Sequence, residues 1–312
     1  MIITRPTMRL LLRLLWRSAA GLLAAGAAAG AQEAFKSPDA AATALAAAAR
    51  SGDLGQLYRV LGKAGREVLS SGDKVRDAAE REHFVAAYDV RHSIVVNGNK
   101  ATILIGAVEF PFPIPILRSR DHWSFNVELG RKEIIARRIG RNELDAVQTC
   151  LAILDAQYEY ASQDHDGKGR GVYAQRIVSR PETKDGLYWP AAPAEQPSPL
   201  GRLAADAAAE GYEAGQAPQP FHGYYFKILT HQGASAPGGA IDYVVGDKMI
   251  GGFAVLAYPA EYARSGLTSF ILNHAGTVYQ KDLGPSTLRI ASRLSSFDPD
   301  SSWQKVALGS SQ

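Results

Sequence analysis

The chain has 312 residues, 46% of them hydrophobic, with one cysteine and a formal net charge of +3. This length suffices for one large or two medium domains, and one cysteine cannot form an internal disulfide. Four arginines and no acidic residue fall within residues 1–31, so the remainder of the chain carries a net charge near −1. A near-neutral chain without a stripe of Lys and Arg is a poor candidate for binding nucleic acid or anionic lipid.

Residues 1–31 have the layout of a secretory signal peptide. An apolar run over 18–30 follows a positive region that contains Arg5, Arg9, Arg13 and Arg17. This run is shorter than the roughly twenty residues that span a bilayer, and small residues at 29 and 31 suit a cleavage site. We predict cleavage after Ala31 and a periplasmic or secreted protein that does not insert into the membrane; the alternative is a retained anchor helix.

Residues 32–130 combine helical patterns with short strand patterns. Ser37 as N-cap and Pro38 at the first helical position begin an Ala-rich helix, and further helices are predicted at 53–61 and 77–91. Strands are predicted at 93–96, 100–107, 114–118 and 123–127. This order predicts a small α+β domain with helices over one face of an antiparallel sheet, and it is similar to the nuclear-transport-factor-like cone fold.

Residues 131–312 predict a long helix packed on an antiparallel sheet. Gly140 divides a helical stretch over 131–163, and the second part carries an apolar stripe formed by Leu144, Val147, Leu151, Leu154 and Tyr158. Alternating strands are predicted at 223–230, 251–258, 267–272 and 277–282, and one face of their sheet would bury the stripe. Cys150 is predicted to be a buried, inert thiol. We place the domain boundary near residues 129–141.

Four segments carry a resemblance to a known family. They are RIGRNEL at 138–144, DGLYWP at 185–190, HGYYF at 222–226 and YQKDLGP at 279–285. They resemble a bacterial exported family catalogued as domain of unknown function 2950, over roughly residues 35–306. The resemblance implies an envelope location and supplies no activity, substrate or catalytic residue.

The C-terminal half is also similar to the head domains of type IV pilins and type II secretion pseudopilins. In both, an amphipathic helix is followed by an irregular loop and an antiparallel sheet. Pilins begin with a Gly/Phe processing site and a long membrane helix, which this sequence lacks. The likeness therefore implies the fold of the head and not filament assembly.

Asp164 and Asp166 are the candidate metal ligands. Two carboxylates two positions apart in a glycine-containing loop can reach one hard cation, so calcium is the candidate ion. Lys168 and Gln175 stand where an EF-hand loop has oxygen ligands, so the loop is not an EF-hand. The alternative is a solvated turn after a helix, and apart from calcium the sequence indicates no cofactor.

Tyr188 and Trp189, together with His222 and Tyr224, are the candidate ligand-binding residues. Aromatic rings stack on flat ligands, so these side chains can line a pocket. The alternative is sheet core, because aromatic residues at every second position of a strand pack against neighbouring strands. The basic residues at 137, 138 and 141 are expected at the domain junction or in solvent.

The sequence contains no motif of a serine hydrolase, a zinc protease, a phosphate-binding loop or haem attachment. We therefore predict a non-catalytic envelope module that binds a protein partner or has a structural role. An envelope hydrolase is the first alternative, and it requires a deep interdomain cleft with a His and two carboxylates. A small-ligand binder is the second alternative, and it requires an apolar cavity inside the N-terminal domain.

Overall fold

The computed structural model describes residues 32–192, 194–212 and 219–307. The predicted signal peptide, residues 1–31, lies outside this range. The described residues form an α+β protein, as the order of helical and strand patterns predicts. Within them, no helix has both the length and the apolar character required to cross a bilayer.

The N-terminal half begins with a group of helices: α1 (Pro38–Ser51), α2 (Leu54–Leu61), α3 (Gly65–Leu69) and α4 (Lys74–Val90). Side chains cap three of them, because Ser37, Asp53 and Asp73 accept hydrogen bonds from backbone N–H groups in the first turns of α1, α2 and α4. These N–H groups have no partner inside the helix, so the caps fix where each helix starts.

One antiparallel sheet follows, with strands β1 (His92–Asn97), β2 (Lys100–Ile105), β3 (Phe110–Pro111), β4 (Ile116–Ser119) and β5 (His122–Phe125). The strand order is β1-β2-β4-β5, and β3 pairs with β2. Alternate residues of β2, namely Ala101, Ile103 and Ile105, are buried beneath the helices. The predicted arrangement of helices over one face of an antiparallel sheet is confirmed.

Helix α5 (Val127–Ala161) is a single helix of 35 residues that joins the two halves. The predicted break at Gly140 is wrong, because Gly140 lies inside this helix. A glycine in a helix interior costs only about 1 kcal/mol relative to alanine. Packing of α5 against α3 on one side of Gly140 and against the C-terminal sheet on the other offsets that cost.

The buried face of α5 is offset from the predicted apolar stripe. Leu144 and Tyr158 are 69% and 47% exposed, whereas Leu151 and Leu154 are partly buried. The face that is buried in the C-terminal half consists mainly of Ala146, Val147, Thr149, Cys150, Ile153, Ala156, Gln157 and Tyr160. Several of these residues are small or polar, so hydrophobic periodicity does not identify them. Cys150 is fully buried, as predicted.

The strands after α5 are β6 (Arg176–Val178), β7 (Gly186–Tyr188), β8 (Tyr224–Leu229), β9 (His231–Gln232), β10 (Ile241–Asp242), β11 (Val244–Val245), β12 (Lys248–Met249), β13 (Ala254–Pro259), β14 (Thr268–Asn273), β15 (Val278–Asp282), β16 (Ser296–Phe297) and β17 (Gln304–Lys305). The helices are α6 (Gly201–Glu210) and α7 (Thr287–Arg293), the latter preceded by a 3₁₀ turn at Gly284–Ser286. The main sheet is antiparallel, in the order β17-β15-β14-β13-β8. A long helix on an antiparallel sheet is thus confirmed.

The central strand of this sheet is buried on both faces. Ala254, Val255, Leu256 and Ala257 are all 0% exposed. Both α5 and α7 pack against β13, and neither face of this strand is left to solvent. The two halves have separate hydrophobic cores, one drawn from residues 35–134 and one from residues 146–306. The division into two domains near residues 129–141 stays a proposal.

Candidate ligand-binding cavity

A partly enclosed cavity of about 310 Å³ lies in the N-terminal half, between its helices, the strand β2 and the first half of α5. Ligand pockets usually measure about 300–1,000 Å³, so this cavity is at the small end of that range. Its walls are largely apolar and are formed by Leu45, Ala49, Leu57, Leu61, Val68, Leu69, Phe84, Ile105, Phe110, Phe112, Pro113, Ile114 and Ile134.

The proline-containing segment that follows β2 forms one wall of the cavity. Phe112 donates a backbone hydrogen bond to Ile103 O at 2.7 Å, and its ring packs against Phe84 with centroids 5.0 Å apart. Helix α5 approaches this segment closely at Gly130, where any Cβ atom would overlap the backbone carbonyl of Pro113. Glycine is therefore needed here for the close approach of helix and segment, and not as a helix break.

Polar and charged side chains from α4 and α5 line the same cavity, namely Asp77, Glu80, Arg81, His83, Arg137, Arg138 and Arg141. Two of the arginines are already paired with carboxylates. Arg141 Nη2 lies 2.7 Å from Glu80 Oε1. Arg137 pairs with Glu133 and also stacks over the ring of Phe110, with its guanidinium carbon 4.5 Å from the ring centroid.

Arg138 is the most deeply buried of these cations. It is 7% exposed, and its Nη2 donates to the backbone carbonyl of Val68 at the end of α3. Its Nη1 is buried and has no hydrogen-bond partner in the described part of the chain. Burial lowers the pKa of Arg138, although the negative charges of Asp77 and Glu80 oppose this shift. A buried, charged N–H donor without an acceptor is destabilising, which makes this atom a candidate contact for a ligand.

Asp77 lies near Arg138 but directs its carboxylate to another residue. Both carboxylate oxygens accept from the backbone N–H of Ser71, at 3.1 and 3.0 Å, and Oδ1 also accepts from the Ser71 hydroxyl at 2.7 Å. Burial raises the pKa of Asp77, and the hydrogen bonds from Ser71 and the charge of Arg138 oppose the increase. The negative charge of Asp77 thus lowers the positive electrostatic potential near Arg138, but its carboxylate makes no hydrogen bond with Arg138 Nη1.

A second polar cluster lies where the two halves meet, around His222. The imidazole Nε2 lies 2.6 Å from Glu210 Oε2, and Nδ1 lies 3.4 Å from Asp145 Oδ2. Arg76 Nη2 also lies 3.4 Å from Asp145 Oδ2. Burial opposes protonation of the imidazole, but hydrogen bonds to the two carboxylates and their charges outweigh burial and raise the pKa of His222. The hydrogen bond from His222 is also the largest cause of the lowered pKa of Asp145.

Two further buried side chains connect the halves at this junction. Asp73, which caps α4, accepts from the Tyr212 hydroxyl at 2.7 Å and from the backbone N–H of Gly223 at 2.9 Å. Asn142 of α5 donates to the backbone carbonyl of Ser265 at 2.9 Å. Because α5 is continuous here, the Asn142 side chain caps no helix and satisfies a carbonyl of the C-terminal half.

The predicted aromatic residues take part in different clusters. Tyr224 is fully buried in β8, and its hydroxyl donates to Thr268 O at 2.8 Å. Trp189 is buried among aromatic rings of the C-terminal core, and Tyr188 is half-buried at the end of β7. His222 belongs to the junction cluster. A pocket formed by these four side chains stays a prediction, and no cavity described above contains them.

The predicted metal ligands lie in a turn that ends the α5 segment. Asp164 Oδ1 accepts from the backbone N–H of Gly167 at 2.8 Å, and Asp166 Oδ1 accepts from that of Lys168 at 3.2 Å. The Lys168 ammonium lies 3.6 Å from carboxylate oxygens of both Asp166 and Asp247. The residues that the structure describes include no group of three or more His, Cys, Asp or Glu side chains arranged to hold a metal ion. Calcium binding stays a prediction.

A family model described as "Protein of unknown function (DUF2950)" matches residues 32–306 of the chain. No curated protein and no solved structure matches the sequence of this chain. The matched region contains both halves, the N-terminal cavity and the junction cluster.

Proposed function

The chain belongs to the DUF2950 family of proteins of unknown function, and we propose that its N-terminal half binds a small, mainly apolar ligand in the cavity beside α5. The family supplies no activity, so the proposal depends on geometry. The observation that carries it is the cavity of about 310 Å³ with walls of Leu, Ile, Val and Phe. The second alternative considered from the sequence, a small-ligand binder, is therefore the one that the structure supports best.

The size and lining of the cavity favour a ligand over a simple packing defect. Protein interiors are close-packed, and few voids in them exceed the volume of one water molecule. A space of about 310 Å³ corresponds to about ten water molecules at about 30 Å³ each. Water gains few hydrogen bonds against apolar walls, so replacement of that water by an apolar ligand would be favourable.

The junction cluster gives less support to an interdomain hydrolase. It does contain a His and two carboxylates, the residue types that such an enzyme requires. Each imidazole nitrogen of His222, however, faces a carboxylate oxygen, of Asp145 on one side and Glu210 on the other. This arrangement stabilises the imidazolium form, which cannot accept a proton from a nucleophile. A structural role at the junction accounts better for the cluster.

We place this binding function in the cell envelope. The arginine-rich and apolar layout of residues 1–31 supports export, with cleavage after Ala31. N-terminal sequencing of the protein recovered from a periplasmic fraction tests this part. A chain that begins at residue 32 is expected, and a cytosolic chain that retains Met1 would refute the localisation.

A fluorescent apolar probe tests the cavity. Titration of the purified protein with N-phenyl-1-naphthylamine is expected to give saturable binding at one site, with increased and blue-shifted emission. Ile134→Trp should weaken binding by about tenfold or more, because the indole would displace the equivalent of about two methylene groups of ligand, at about 0.8 kcal/mol each. Ile134 is half-buried and lines the cavity.

Ile135→Trp is the matched control. Ile135 is the next residue of α5, is also half-buried and is not part of the cavity lining. This variant should keep the wild-type affinity within about threefold. Thermal unfolding of both variants confirms that each is folded. If the wild-type protein shows no saturable binding, or if both variants lose affinity equally, the cavity is not the binding site.

A further inference from the structure

Arg138 places a buried cation in the wall of an otherwise apolar cavity. Arg138 is 7% exposed, and its Nη1 atom has no hydrogen-bond partner among the described residues. Nη2 is held by the carbonyl of Val68, so the guanidinium has a fixed position, and the Arg138 side chain lines the cavity while Nη1 lacks an acceptor. Buried polar groups in native proteins nearly always have a partner, so an unpaired guanidinium in the cavity wall points to an acceptor that the ligand supplies.

The charges around the cavity leave an excess of positive charge. Four arginines and two carboxylates line it. Glu80 is already paired with Arg141, and Asp77 accepts hydrogen bonds from Ser71. Arg81 donates to a backbone carbonyl, that of Asp77, at 2.8 Å, and makes no ion pair in the part of the chain that the structure describes. Arg81 and Arg138 therefore both present positive charge that no carboxylate of the described residues pairs with directly.

We infer that the ligand of this cavity is an amphiphile with one short apolar tail and one carboxylate, and that the carboxylate binds the Arg138 guanidinium. The inference rests on the proposed function and adds the chemical class of the ligand. The apolar walls accommodate the tail, and the guanidinium supplies a charged donor where the tail ends. Hydrogen bonds between ionised partners are stronger than neutral ones, so this contact selects the ligand's polar end.

A single negative charge suits the site better than two. Asp77 and Glu80 line the same cavity, and both would repel an incoming anion. A carboxylate meets less of this repulsion than a doubly charged phosphate, while it keeps the contact with Arg138. The small volume also excludes a lipid with two long chains, since such a ligand needs a larger cavity than about 310 Å³.

Four probes built on a chain of ten carbon atoms test the inference: decanoate, decan-1-ol, decyl phosphate and decyltrimethylammonium. Each displaces N-phenyl-1-naphthylamine from the purified protein at neutral pH, below the concentration at which the probe aggregates. Decanoate should bind about tenfold to hundredfold more tightly than decan-1-ol, because its carboxylate is ionised and pairs with the charged guanidinium, whereas the hydroxyl is neutral. Decyl phosphate and decyltrimethylammonium should both bind more weakly than decanoate.

Arg138→Gln tests the assigned residue. Glutamine keeps an N–H donor for Val68 and removes the charge, so decanoate should bind about tenfold or more weakly, and decan-1-ol should change by less than about threefold. Arg131→Gln is the control, because Arg131 lies two turns earlier on α5, outside the cavity lining. It should alter neither affinity by more than about threefold.

The outcomes separate this inference from the proposed function. If decan-1-ol binds as tightly as decanoate, or if decyl phosphate or the cation binds best, the carboxylate assignment is wrong and the apolar cavity stands. If no probe binds, including N-phenyl-1-naphthylamine, the proposed function itself is wrong. Should Arg138→Gln fail to fold, the order of the four affinities in the wild-type protein still decides the inference.

Discussion

The stability of the junction should depend on pH through His222. The perturbation is His222→Asn, measured together with the wild-type protein over a range of pH. His222 has a φ angle of 49°, in the left-handed region, which asparagine tolerates better than most residues. The substitution therefore removes the imidazolium and its two carboxylate contacts without adding backbone strain.

The direction of the effect follows from the two pKa shifts. The pKa of His222 is raised in the folded protein, so its stabilisation is complete below the unfolded value of about 6.5 and is lost as pH rises through the folded value. The pKa of Asp145 is lowered, so its stabilisation is present above about 3.9 and is lost as pH falls through the folded value. The pair should stabilise the fold most between about pH 4 and 6.5.

The expected loss in the free energy of unfolding follows from the contacts of His222 and from their exposure to solvent. Hydrogen bonds to charged groups contribute about 1.5–3 kcal/mol each when buried. The side chains of Asp145 and Glu210 are 35% and 45% exposed, so solvent weakens both contacts, and the burial of His222 opposes its charge. We expect His222→Asn to lower the free energy of unfolding by about 1–2 kcal/mol at about pH 5.5.

Urea unfolding followed by circular dichroism measures this difference. As the pH rises through the raised folded-state pKa of His222, the imidazole loses its proton, and the difference between wild type and His222→Asn should shrink towards zero. Burial raises the pKa of the neighbouring Tyr212, so its hydroxyl keeps its proton across this range and should not mask the change. A difference that stays constant with pH, or that grows on the alkaline side, would refute the assignment of an ionic role to His222.

Three other predictions concern packing. Ile153→Ala should lower the free energy of unfolding by about 2–5 kcal/mol, whereas Leu144→Ala should change it by less than about 0.5 kcal/mol. The reason is that Ile153 is 1% exposed and Leu144 is 69% exposed. Chemical denaturation measures both values, and the reverse order would contradict the observed buried face of α5. Gly130→Ala should destabilise the fold by about 1–3 kcal/mol through overlap with the adjacent backbone. Gly140→Ala should stabilise it by about 0.5–1 kcal/mol, since no atom of the described residues beyond its own helix turn lies within 4 Å of its Cβ position; a lower melting temperature for Gly140→Ala, or a higher one for Gly130→Ala, would contradict the respective prediction. Burial raises the pKa of the Cys150 thiol to about 12, so a disulfide reagent should react with it only after denaturation, and rapid reaction in the folded protein would contradict that burial.

Local patterns predicted the secondary structure well. Turn and capping residues act over a few positions, so the predicted helix starts at Ser37 and Asp53 are confirmed, and Asn97-Gly98 connects β1 to β2 as a tight turn. The two glycines of α5 are different, because the sequence cannot distinguish a glycine that ends a helix from one required by a neighbour. Gly130 is required by contact with a segment that precedes it in the chain, and Gly140 is simply tolerated.

The cavity could not be predicted in the same way. Its lining comes from α1, α2, α3, α4, the sheet and α5, and each contributes residues that the hydrophobic pattern assigns to ordinary core. Whether those residues meet or leave a space depends on packing between elements. The one signal in the sequence was Arg138, which lies between Ile134 and Ile139 in a helix and was expected at the junction or in solvent. An arginine next to inward-facing isoleucines indicates a buried charge that needs a partner.

The continuity of α5 explains why cavity and junction residues occur together in the segment RIGRNEL. Arg138 reaches back to α3 at Val68, whereas Asn142, one turn later, reaches Ser265 in the C-terminal half. Glu143 accepts two backbone N–H groups, from residues 267 and 268, each at 3.1 Å. Residues three or four apart share one face of a helix, so this spacing requires an unbroken turn across Gly140. A break there would rotate Asn142 away from its carbonyl, and the buried amide would lose its partner. The polar contacts on both sides of Gly140 thus specify a continuous helix where local propensity alone favours a break.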